Sequence, residues 1–272
     1  MKYLNRNLRI CILLMVSIPV FTYAQKTKTT RKYEFYFSWG YNTEWFTNSN
    51  VAVSQPELGN NYTFKNISGH DHKGWDDGLF SKALTIPQYN YRIGFIFNKK
   101  KGLGFEINFD HTKFIFGDQD AHIKGTLSHK PVDSSVAFNE KNGFFYYLNN
   151  GANFLLFNIV KRWQIYESPN ENIKIDFLGK AGIGPVIPHV ENSFFGQKNE
   201  PHFQFGGWNI GVEGALRATF FKYVFLEYTN KLDYARYSGL KVYKGTAKQA
   251  FGTYEMILNL GFSFPVGKKV KE

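Results

Sequence analysis

Hydrophobic and polar residues alternate with a period of two along most of the chain. Between residues 253 and 264 the odd positions are polar or small, with Ile257 as the exception. The even positions are all apolar or aromatic: Tyr254, Met256, Leu258, Leu260, Phe262 and Phe264. Successive side chains of a β-strand point to opposite faces, so this stretch predicts a strand with one apolar and one polar face. A last strand of this kind is typical of a β-barrel that crosses a membrane.

Three stretches in the first half of the chain show the same alternation. Aromatic residues fill the odd positions of 33–42, where Tyr36 interrupts the pattern, and the segments 87–98 and 103–116 also alternate. A short charged turn at 98–102 joins the second and third of these stretches. We therefore predict three spanning strands in this half of the chain.

The second half of the chain predicts five further strands. Four of them alternate well: 173–187, 208–220, 224–233 and the terminal stretch. The fifth, within 143–166, contains the apolar run 154–157, and a short run of this kind cannot be distinguished from a helix by its period alone. Turn residues at 149–151 and 167–170 lie on either side of it, and they favour a strand.

Short turns and long polar segments alternate between these eight predicted strands. The turns lie at 98–102, 167–172 and 221–222, and the long segments at 48–86, 117–142, 188–205 and 238–249. Bacterial membrane barrels have short periplasmic turns and long extracellular loops. The expected fold is therefore all-β: a transmembrane antiparallel up-and-down β-barrel of eight strands, with long extracellular loops and both termini in the periplasm. Within the loops we expect a short strand at 62–67 and a hairpin at 120–138, and the barrel has ten strands if that hairpin crosses the membrane.

The first 24 residues have the pattern of a secretory signal peptide. A basic start precedes an apolar run from Ile10 to Phe21, and residues 22–24 provide small side chains for cleavage. We therefore predict a signal peptide at 1–24 and an outer-membrane barrel domain at 25–272. Cleavage would remove Cys11, the only cysteine, which leaves the mature chain without a disulfide or a thiolate metal site.

Composition narrows the class of protein further. Aromatic residues make up 18% of the chain, although its mean hydropathy is negative, and this fits a barrel in which only alternate residues meet lipid. No segment after the signal approaches 18 consecutive apolar residues, which excludes a bundle of membrane-spanning helices. The formal net charge of +11 would suit nucleic acid, but export to the cell envelope excludes that partner and favours anionic lipid head groups.

Three short segments carry a resemblance to a known class of barrels. They are FSWGYN at 37–42, IPQYNYR at 86–92 and FDHTK at 109–113. With the export signal and the aromatic last strand, they resemble small outer-membrane barrels of Bacteroidetes-type bacteria. Proteins of this kind mostly have no assigned activity, so the resemblance implies a porin-like fold in the outer membrane of a Gram-negative cell envelope. The chain departs from them at its end, where residues 265–272 follow the aromatic Phe264.

The polar faces of the predicted strands carry many charges. Acidic and basic residues occur there in similar numbers: Glu34, Arg92, Glu106, Asp110, Arg162, Lys174, Asp176, Lys180, Glu213, Arg217, Glu227, Lys231, Asp233 and Glu255. The interior of an eight-stranded barrel is just wide enough to be filled by side chains, and a buried charge without a partner is strongly destabilising. We therefore expect ion-pair networks that plug the lumen. A charged channel for small solutes is the alternative, and it requires a wider barrel.

One histidine has a position that suits catalysis at the membrane surface. His111 is expected to face outward near the extracellular end, next to the inward-facing Asp110. Lipid A acyl hydrolysis would need a serine nucleophile activated by such a histidine, and Ser68 and Ser128 lie in the loops. Separate loops define no triad geometry, so contact between the histidine and lipid phosphates is the simpler interpretation. The hydrolase, with His111 and Asp110 as candidate catalytic residues, is kept as an alternative to a non-enzymatic role.

A second group of histidines lies in the first long loop. His70 and His72 flank Asp71, and Asp76 and Asp77 follow; these are residue types that bind zinc or copper. Their spacing fixes no geometry in a loop, where polar residues collect in any case. His70, His72 and Asp76 are therefore candidate metal ligands, while our expectation is that no metal or other cofactor is bound.

The function expected from the sequence is that of a structural or binding scaffold. Binding residues usually lie on loops carried by a rigid framework, and the loops 48–86 and 117–142 hold Tyr62, Phe64, Trp75 and Phe80 among polar residues. The expected partners are outer-membrane lipids, lipopolysaccharide, the barrel assembly machinery and an unidentified extracellular ligand. Basic clusters at 26–32, 99–101 and 268–271 are expected to meet anionic phospholipid at the periplasmic end.

Overall fold

The computed structural model describes residues 29–74, 87–148 and 151–271. Residues 31–268 form one compact unit, and the second unit, residues 1–30 with 269–272, contributes only the ends of the first and last strands to this description. The predicted signal peptide at 1–24 lies outside the described residues, as do Trp75, Asp76, Asp77 and Phe80. No helix in the described segments is long and apolar enough to cross a membrane.

Eighteen β-strands and two short 3-10 helices make up the regular structure of the described residues. The strands are β1 (Thr29–Phe46), β2 (Ser49–Gln55), β3 (Asn60–Ile67), β4 (Gly69–His70), β5 (Tyr89–Asn98), β6 (Leu103–Asp110), β7 (Phe114–Phe116), β8 (Gln119–Leu127), β9 (Lys130–Phe138), β10 (Phe145–Leu148), β11 (Phe154–Glu167), β12 (Ile173–Val186), β13 (His189–Phe194), β14 (Gln197–Lys198), β15 (His202–Phe203), β16 (Gly207–Phe220), β17 (Val224–Val242) and β18 (Gly245–Lys271). The 3-10 helices are Pro56–Leu58 and Glu140–Asn142.

Eight of the described strands close into a ring. They pair in the order β1, β5, β6, β11, β12, β16, β17 and β18, and β18 pairs with β1. This is the predicted up-and-down barrel. The ten-stranded alternative is wrong, because the hairpin formed by β8 and β9 pairs with β3 and not with a strand of the ring. We call the end with the short turns the turn end, and the opposite end the loop end.

The barrel has its apolar residues outside and its charged residues inside. Large apolar residues are exposed on the outer surface of all eight strands: Phe35, Phe37, Ile93, Phe95, Phe105, Ile107, Phe157, Ile159, Phe177, Ile210, Val212, Leu216, Leu226, Tyr228, Leu258, Leu260 and Phe262. The charged residues predicted to face inward are buried, apart from the half-buried Lys174. A water-soluble protein rarely exposes an apolar surface of this extent. An apolar belt around a polar interior is the architecture of a transmembrane β-barrel.

Interruptions in the alternation have a physical reason. Tyr36 points into the barrel, and Gly94 lies opposite it on β5; a Cβ atom on Gly94 would come within 1.9 Å of the Tyr36 ring. In β11, the inward-facing Phe154 and Leu156 are buried towards the loop end, so both faces of the strand are apolar there. The predicted strand over this segment is therefore confirmed.

The loop end carries a folded β-structure in place of open loops. Beyond the ring, β17 and β18 continue to a hairpin at Tyr243-Lys244, and β2, β3, β8 and β9 extend the same sheet from β18. A second sheet has the order β14, β13, β10, β7 and β4, with β15 paired to β13. We call these ten short strands, together with residues 238–249, the head. The prediction of a loop at 238–249 is wrong, and so is a single strand over 103–116, because β6 ends at Asp110 and β7 belongs to the second sheet.

Aromatic side chains fill the space between the two sheets of the head. The rings of Phe116 and Phe138 are stacked with their centroids 3.8 Å apart. Phe64 packs 5.3 Å from Phe138 and 5.6 Å from Phe194. Tyr62 and Phe64, which the sequence placed among loop aromatics available for binding, are buried in this core. That expectation is wrong because alternate residues of β3 point into the head.

Candidate functional site

A network of charged side chains crosses the middle of the lumen. Glu106 on β6 lies at its centre, 2.9 Å from the Arg92 guanidinium and 2.8 Å from the Lys180 ammonium. The Tyr36 hydroxyl donates a hydrogen bond of 2.8 Å to the same carboxylate. Lys180 also lies 2.8 Å from Glu227. All four ionic side chains are fully buried, so each charge depends on its partners instead of water.

Further ion pairs continue the network towards the turn end. Arg217 lies 2.6 Å from Glu227 on the neighbouring strand, and its guanidinium stacks 4.0 Å from the centroid of the Phe225 ring. Nearer the turns, Arg162 lies 2.5 Å from Glu34 across the lumen. Arginine suits these positions because its planar guanidinium group can donate hydrogen bonds to a carboxylate and stack on an aromatic ring.

A third layer of charge lies towards the loop end. Lys231 forms ion pairs with Asp110 and, at 3.2 and 3.6 Å, with Glu255 and Asp233. Its ammonium also lies 5.3 Å from the centroid of the Phe154 ring. The charged layer therefore meets the apolar core that begins at the base of the head.

One charged residue of the lumen is absent from the sequence prediction. Glu44 on β1 is buried, and Asn42 donates a hydrogen bond of 2.5 Å to its carboxylate. The sequence reading ended the first strand at Asn42, whereas β1 continues to Phe46. Trp45 is exposed on the outer face, so the alternation through residues 43–46 was the signal that places Glu44 inside.

A basic groove of about 480 Å³ lies on the head, between residues 198–202 and the hairpin of β17 and β18. Three lysines line it, Lys198, Lys241 and Lys244, and Glu200 is the one acidic residue among its described lining residues. The Lys244 ammonium lies 3.5 Å from Glu57 at the surface. Because the lysine side chains are exposed, the groove presents a net positive charge to solvent.

The walls of this groove are fixed by hydrogen bonds to the backbone. The Asn199 side chain accepts a hydrogen bond of 2.7 Å from the Asn192 amide and donates one of 3.0 Å to the Val190 carbonyl. The Asn192 side chain in turn donates to the Lys241 carbonyl at 3.0 Å. These contacts join the 198–202 segment, β13 and β17, so the groove has a defined shape.

The structure places Asp110 and His111 on opposite sides of the barrel wall. Asp110 points inward to Lys231. His111 follows the last residue of β6; its Nδ1 atom lies 2.8 Å from Asn153 Oδ1, and its ring stacks on Tyr89 at 4.6 Å. Burial lowers the pKa of His111 to about 4, so the imidazole is neutral at pH 7. The histidine is brought together with an amide and an aromatic ring, not with the neighbouring carboxylate.

The backbone of each serine considered as a nucleophile is held by residues other than His111. The Ser68 amide donates to Gln119 Oε1 at 3.2 Å. Ser128 lies in the tight turn between β8 and β9, and its amide donates to Asn60 Oδ1 at 2.8 Å. Within the described residues, neither serine forms a hydrogen bond with His111.

Two of the candidate metal ligands, His70 and His72, lie in or next to β4 of the head. His70 belongs to β4, and its Nδ1 atom is 2.9 Å from the Asp71 carbonyl oxygen. The amide of His72 donates to Gln88 Oε1 at 3.3 Å, and Asp76 lies outside the described residues. The described residues contain no group of three or more His, Cys, Asp or Glu side chains arranged to hold a metal.

Comparison with known proteins finds likeness at the level of solved structures. OprG, an outer-membrane protein of Pseudomonas aeruginosa, is 9% identical, with 87% of this chain and 98% of that chain covered and a TM-score of 0.40. Ail, the attachment invasion locus protein of Yersinia pestis, is 15% identical, with coverages of 86% and 99% and a TM-score of 0.32. Neisserial surface protein A is 9% identical, with coverages of 88% and 99% and a TM-score of 0.32. No protein-family model matches the chain, and no curated protein matches it in sequence. At these identities and scores the likeness carries no statement about what this chain binds.

Proposed function

We propose that this protein is an outer-membrane binding scaffold, in which a barrel with a closed lumen displays a rigid head outside the cell. The observation that carries the proposal is the head itself. Its two sheets enclose an aromatic core, so its surface keeps a fixed shape that open loops would lack. A fixed surface on a membrane-anchored support is suited to binding and presentation.

The membrane placement is supported by the outer belt and by the lengths of the connections. Exposed apolar side chains surround the barrel while charged ones fill it, which is stable in lipid and unfavourable in water. Short turns face the periplasm in bacterial barrels, so the turn end lies there and the head lies outside the cell. Export would proceed through the predicted signal peptide at 1–24, with insertion by the barrel assembly machinery. Origin in a Bacteroidetes-type bacterium stays a prediction.

Two features support the proposed closed lumen, the width of the ring and the side chains inside it. An eight-stranded barrel leaves room only for side chains. The network around Glu106 occupies the middle of the lumen, and Lys231 with its carboxylates lies above it. Water-filled passage of solutes would require these buried ion pairs to separate, at a cost of several kcal/mol for each charge left without a partner.

The ligand class is suggested by the basic groove of the head. Lys198, Lys241 and Lys244 converge there around a volume suited to a small ligand. Lysine recognises phosphate as a compact point charge. The phosphate groups of lipopolysaccharide, which surround an outer-membrane protein on its extracellular side, therefore fit this groove as ligands.

Binding of purified lipopolysaccharide to the refolded protein tests the proposal. Replacing Lys198, Lys241 and Lys244 with glutamine should weaken binding at least tenfold, whereas dephosphorylated lipopolysaccharide should bind poorly to the wild type. The matched control replaces Lys65, Lys130 and Lys141, which are exposed lysines of β3, β9 and the 3-10 helix Glu140–Asn142 and do not line the groove. Equal losses in both triple variants would show non-specific charge attraction and refute the groove as a binding site.

A further inference from the structure

Five lysines gather at the turn end of the barrel, on the side opposite to the head. They line a depression of about 300 Å³ together with Arg162 and Trp163. The five lysines are Lys99, Lys100, Lys101, Lys161 and Lys174. No acidic residue is among these described lining residues. Two of the cations already have carboxylates, since Arg162 pairs with Glu34 at 2.5 Å and Lys174 with Asp176 at 3.2 Å. The depression therefore keeps a positive surface.

The fold holds the lysine-rich turn against the neighbouring strand. The amide of Arg162 on β11 donates a hydrogen bond of 2.7 Å to the Gly102 carbonyl. Gly102 has a φ angle of +64°, and a Cβ atom there would lie 2.0 Å from the Arg162 carbonyl oxygen. Only glycine allows this close approach. The turn at 99–102 is thus docked onto β11, and its lysines are fixed beside Lys161.

Lys161 lies on the lipid-facing side of the wall. It shares the outward parity of Ile159 and Trp163, which are 62% and 46% exposed. Its ammonium hydrogen-bonds to the Lys101 carbonyl and lies 5.5 Å from the centroid of the Trp163 ring. Among the described residues, no carboxylate lies within 4 Å of it. A lysine on the outer face is strongly unfavourable at the middle of the bilayer and nearly neutral at its edge.

This position coincides with the head-group region of the inner leaflet. Tryptophan is enriched at the interface between lipid tails and head groups, and Trp163 packs 5.7 Å from Phe177 on the next strand. The turn at 99–102 meets β11 at Arg162, next to Trp163. Lys161 lies on the loop-end side of Trp163 in β11, and its ammonium reaches the turn at the Lys101 carbonyl. A ligand in the depression would therefore have its charged part beside Lys101 and Lys161, next to Trp163, and its apolar part along the exposed Ile159, which lies further towards the loop end.

We propose that this depression binds the head group of an anionic phospholipid in the periplasmic leaflet. A phosphodiester would meet the Lys101 and Lys161 ammonium groups at the level of Trp163, while the acyl chains lie against Ile159. The site rests on the proposed membrane placement but not on the binding role of the head. Its failure would leave the lipopolysaccharide groove untouched.

Lipid retention by the purified protein tests this site. The full chain is equilibrated in detergent with equal amounts of phosphatidylglycerol and phosphatidylcholine, and retained lipid is quantified by mass spectrometry after gel filtration. We expect the wild type to prefer phosphatidylglycerol. The double variant Lys101→Gln/Lys161→Gln should weaken that binding about thirty-fold, equivalent to about 1 kcal/mol for each lysine.

The control variant is Lys222→Gln/Lys268→Gln, which removes the same charge from the same end of the barrel at residues outside the depression. It should change phosphatidylglycerol binding less than twofold. If the first double variant fails to fold, judged by its migration on gels with and without heating, Lys161→Gln alone should still weaken binding about fivefold. Equal losses in both double variants, or no preference between the lipids in the wild type, would overturn the proposal.

A further arm separates a lipid from a soluble phosphate. Inorganic phosphate is added in hundredfold excess over phosphatidylglycerol. Retention of the lipid supports the proposed site, because the acyl chains contribute binding that free phosphate lacks. Displacement of the lipid would instead identify a site for soluble phosphate compounds and overturn the assignment to phospholipid.

Discussion

Substitution of Glu106 by glutamine tests whether the ion-pair network stabilises the barrel. The change keeps the size of the side chain and removes its negative charge. Arg92 and Lys180 then lose a carboxylate that lies 2.9 and 2.8 Å from them. The new side chain also carries an amide nitrogen in place of one carboxylate oxygen, and neither Arg92 nor Lys180 can accept a hydrogen bond from it.

The expected loss follows from the partners that remain. Removing one member of a buried ion pair costs about 3–5 kcal/mol, because the other charge is left without compensation. Here Arg92 keeps Glu213 at 2.6 Å and Lys180 keeps Glu227 at 2.8 Å. We therefore expect the lower end of that range, about 3 kcal/mol, in the free energy of unfolding. Adding Lys180→Gln should cost less than the sum of the two single changes, by about 1–3 kcal/mol.

Urea unfolding of the protein in lipid vesicles, followed by tryptophan fluorescence, measures these values. Lys222→Gln is the matched control, because Lys222 pairs with Glu171 at 3.0 Å at the surface, where the two side chains are 50% and 37% exposed. Exposed pairs contribute about 0–1 kcal/mol. A loss at Glu106 no larger than that of the control would refute the reasoning, and so would strict additivity with Lys180→Gln.

Three further predictions concern the head, the wall and the rim. Phe138→Ala should lower the free energy of unfolding by about 3–5 kcal/mol. It should expose the head to limited proteolysis, while the barrel stays heat-modifiable on gels. The control Phe205→Ala, at a side chain 78% exposed, should change neither the stability nor the proteolysis. Gly94→Ala should lower the free energy of unfolding in urea by about 1–3 kcal/mol, because its methyl group clashes with Tyr36. Gly214→Ala should be tolerated, because the nearest atom to a Cβ there is 3.7 Å away. Similar losses in the two variants would contradict this account. The pKa of His111 is lowered to about 4 from the usual 6.5. The unfolded chain therefore binds a proton at this histidine at a higher pH than the folded chain does. The free energy of unfolding should accordingly fall by at most about 3 kcal/mol as the pH drops from 6.5 to 4. His111→Gln should lack this part of the pH dependence and leave lipid A acylation unchanged; loss of deacylation in that variant would instead support the hydrolase.

The barrel was predictable from sequence because lipid and a narrow lumen impose opposite demands on alternate residues. An apolar residue such as Phe105 must face the lipid, and a charged neighbour such as Glu106 must face the lumen. The sequence of each strand therefore shows which of its residues point inward. Within the head, the strand at 62–67 and the hairpin at 120–138 were predicted and are present as β3 and as β8 with β9. The other strands escaped this reasoning, because they are short and the two sheets bury one face against each other in water. Phe114 and Phe116 of β7 therefore read as a continuation of β6, although they belong to the second sheet.

The candidate sites depended on contacts between segments distant in sequence. The inward charges were predictable one by one, but the position of Glu106 between Arg92, Lys180 and Tyr36 requires the register of strands across the lumen. Likewise, Lys101 and Lys161 are 60 residues apart, and only the docking of the turn onto β11 brings them together. Proximity in sequence was misleading for Asp110 and His111, since neighbours in a strand point to opposite faces.

Conductance across a planar lipid bilayer tests the central claim of a closed, ion-paired lumen most directly. The purified, folded protein is inserted into the membrane, and single-channel current is recorded over a range of voltages against a control with detergent alone. A lumen filled by the Glu106 and Lys231 networks predicts insertion without stable current steps. Large, stable and reproducible steps from the pure protein would contradict it and favour a channel for small solutes.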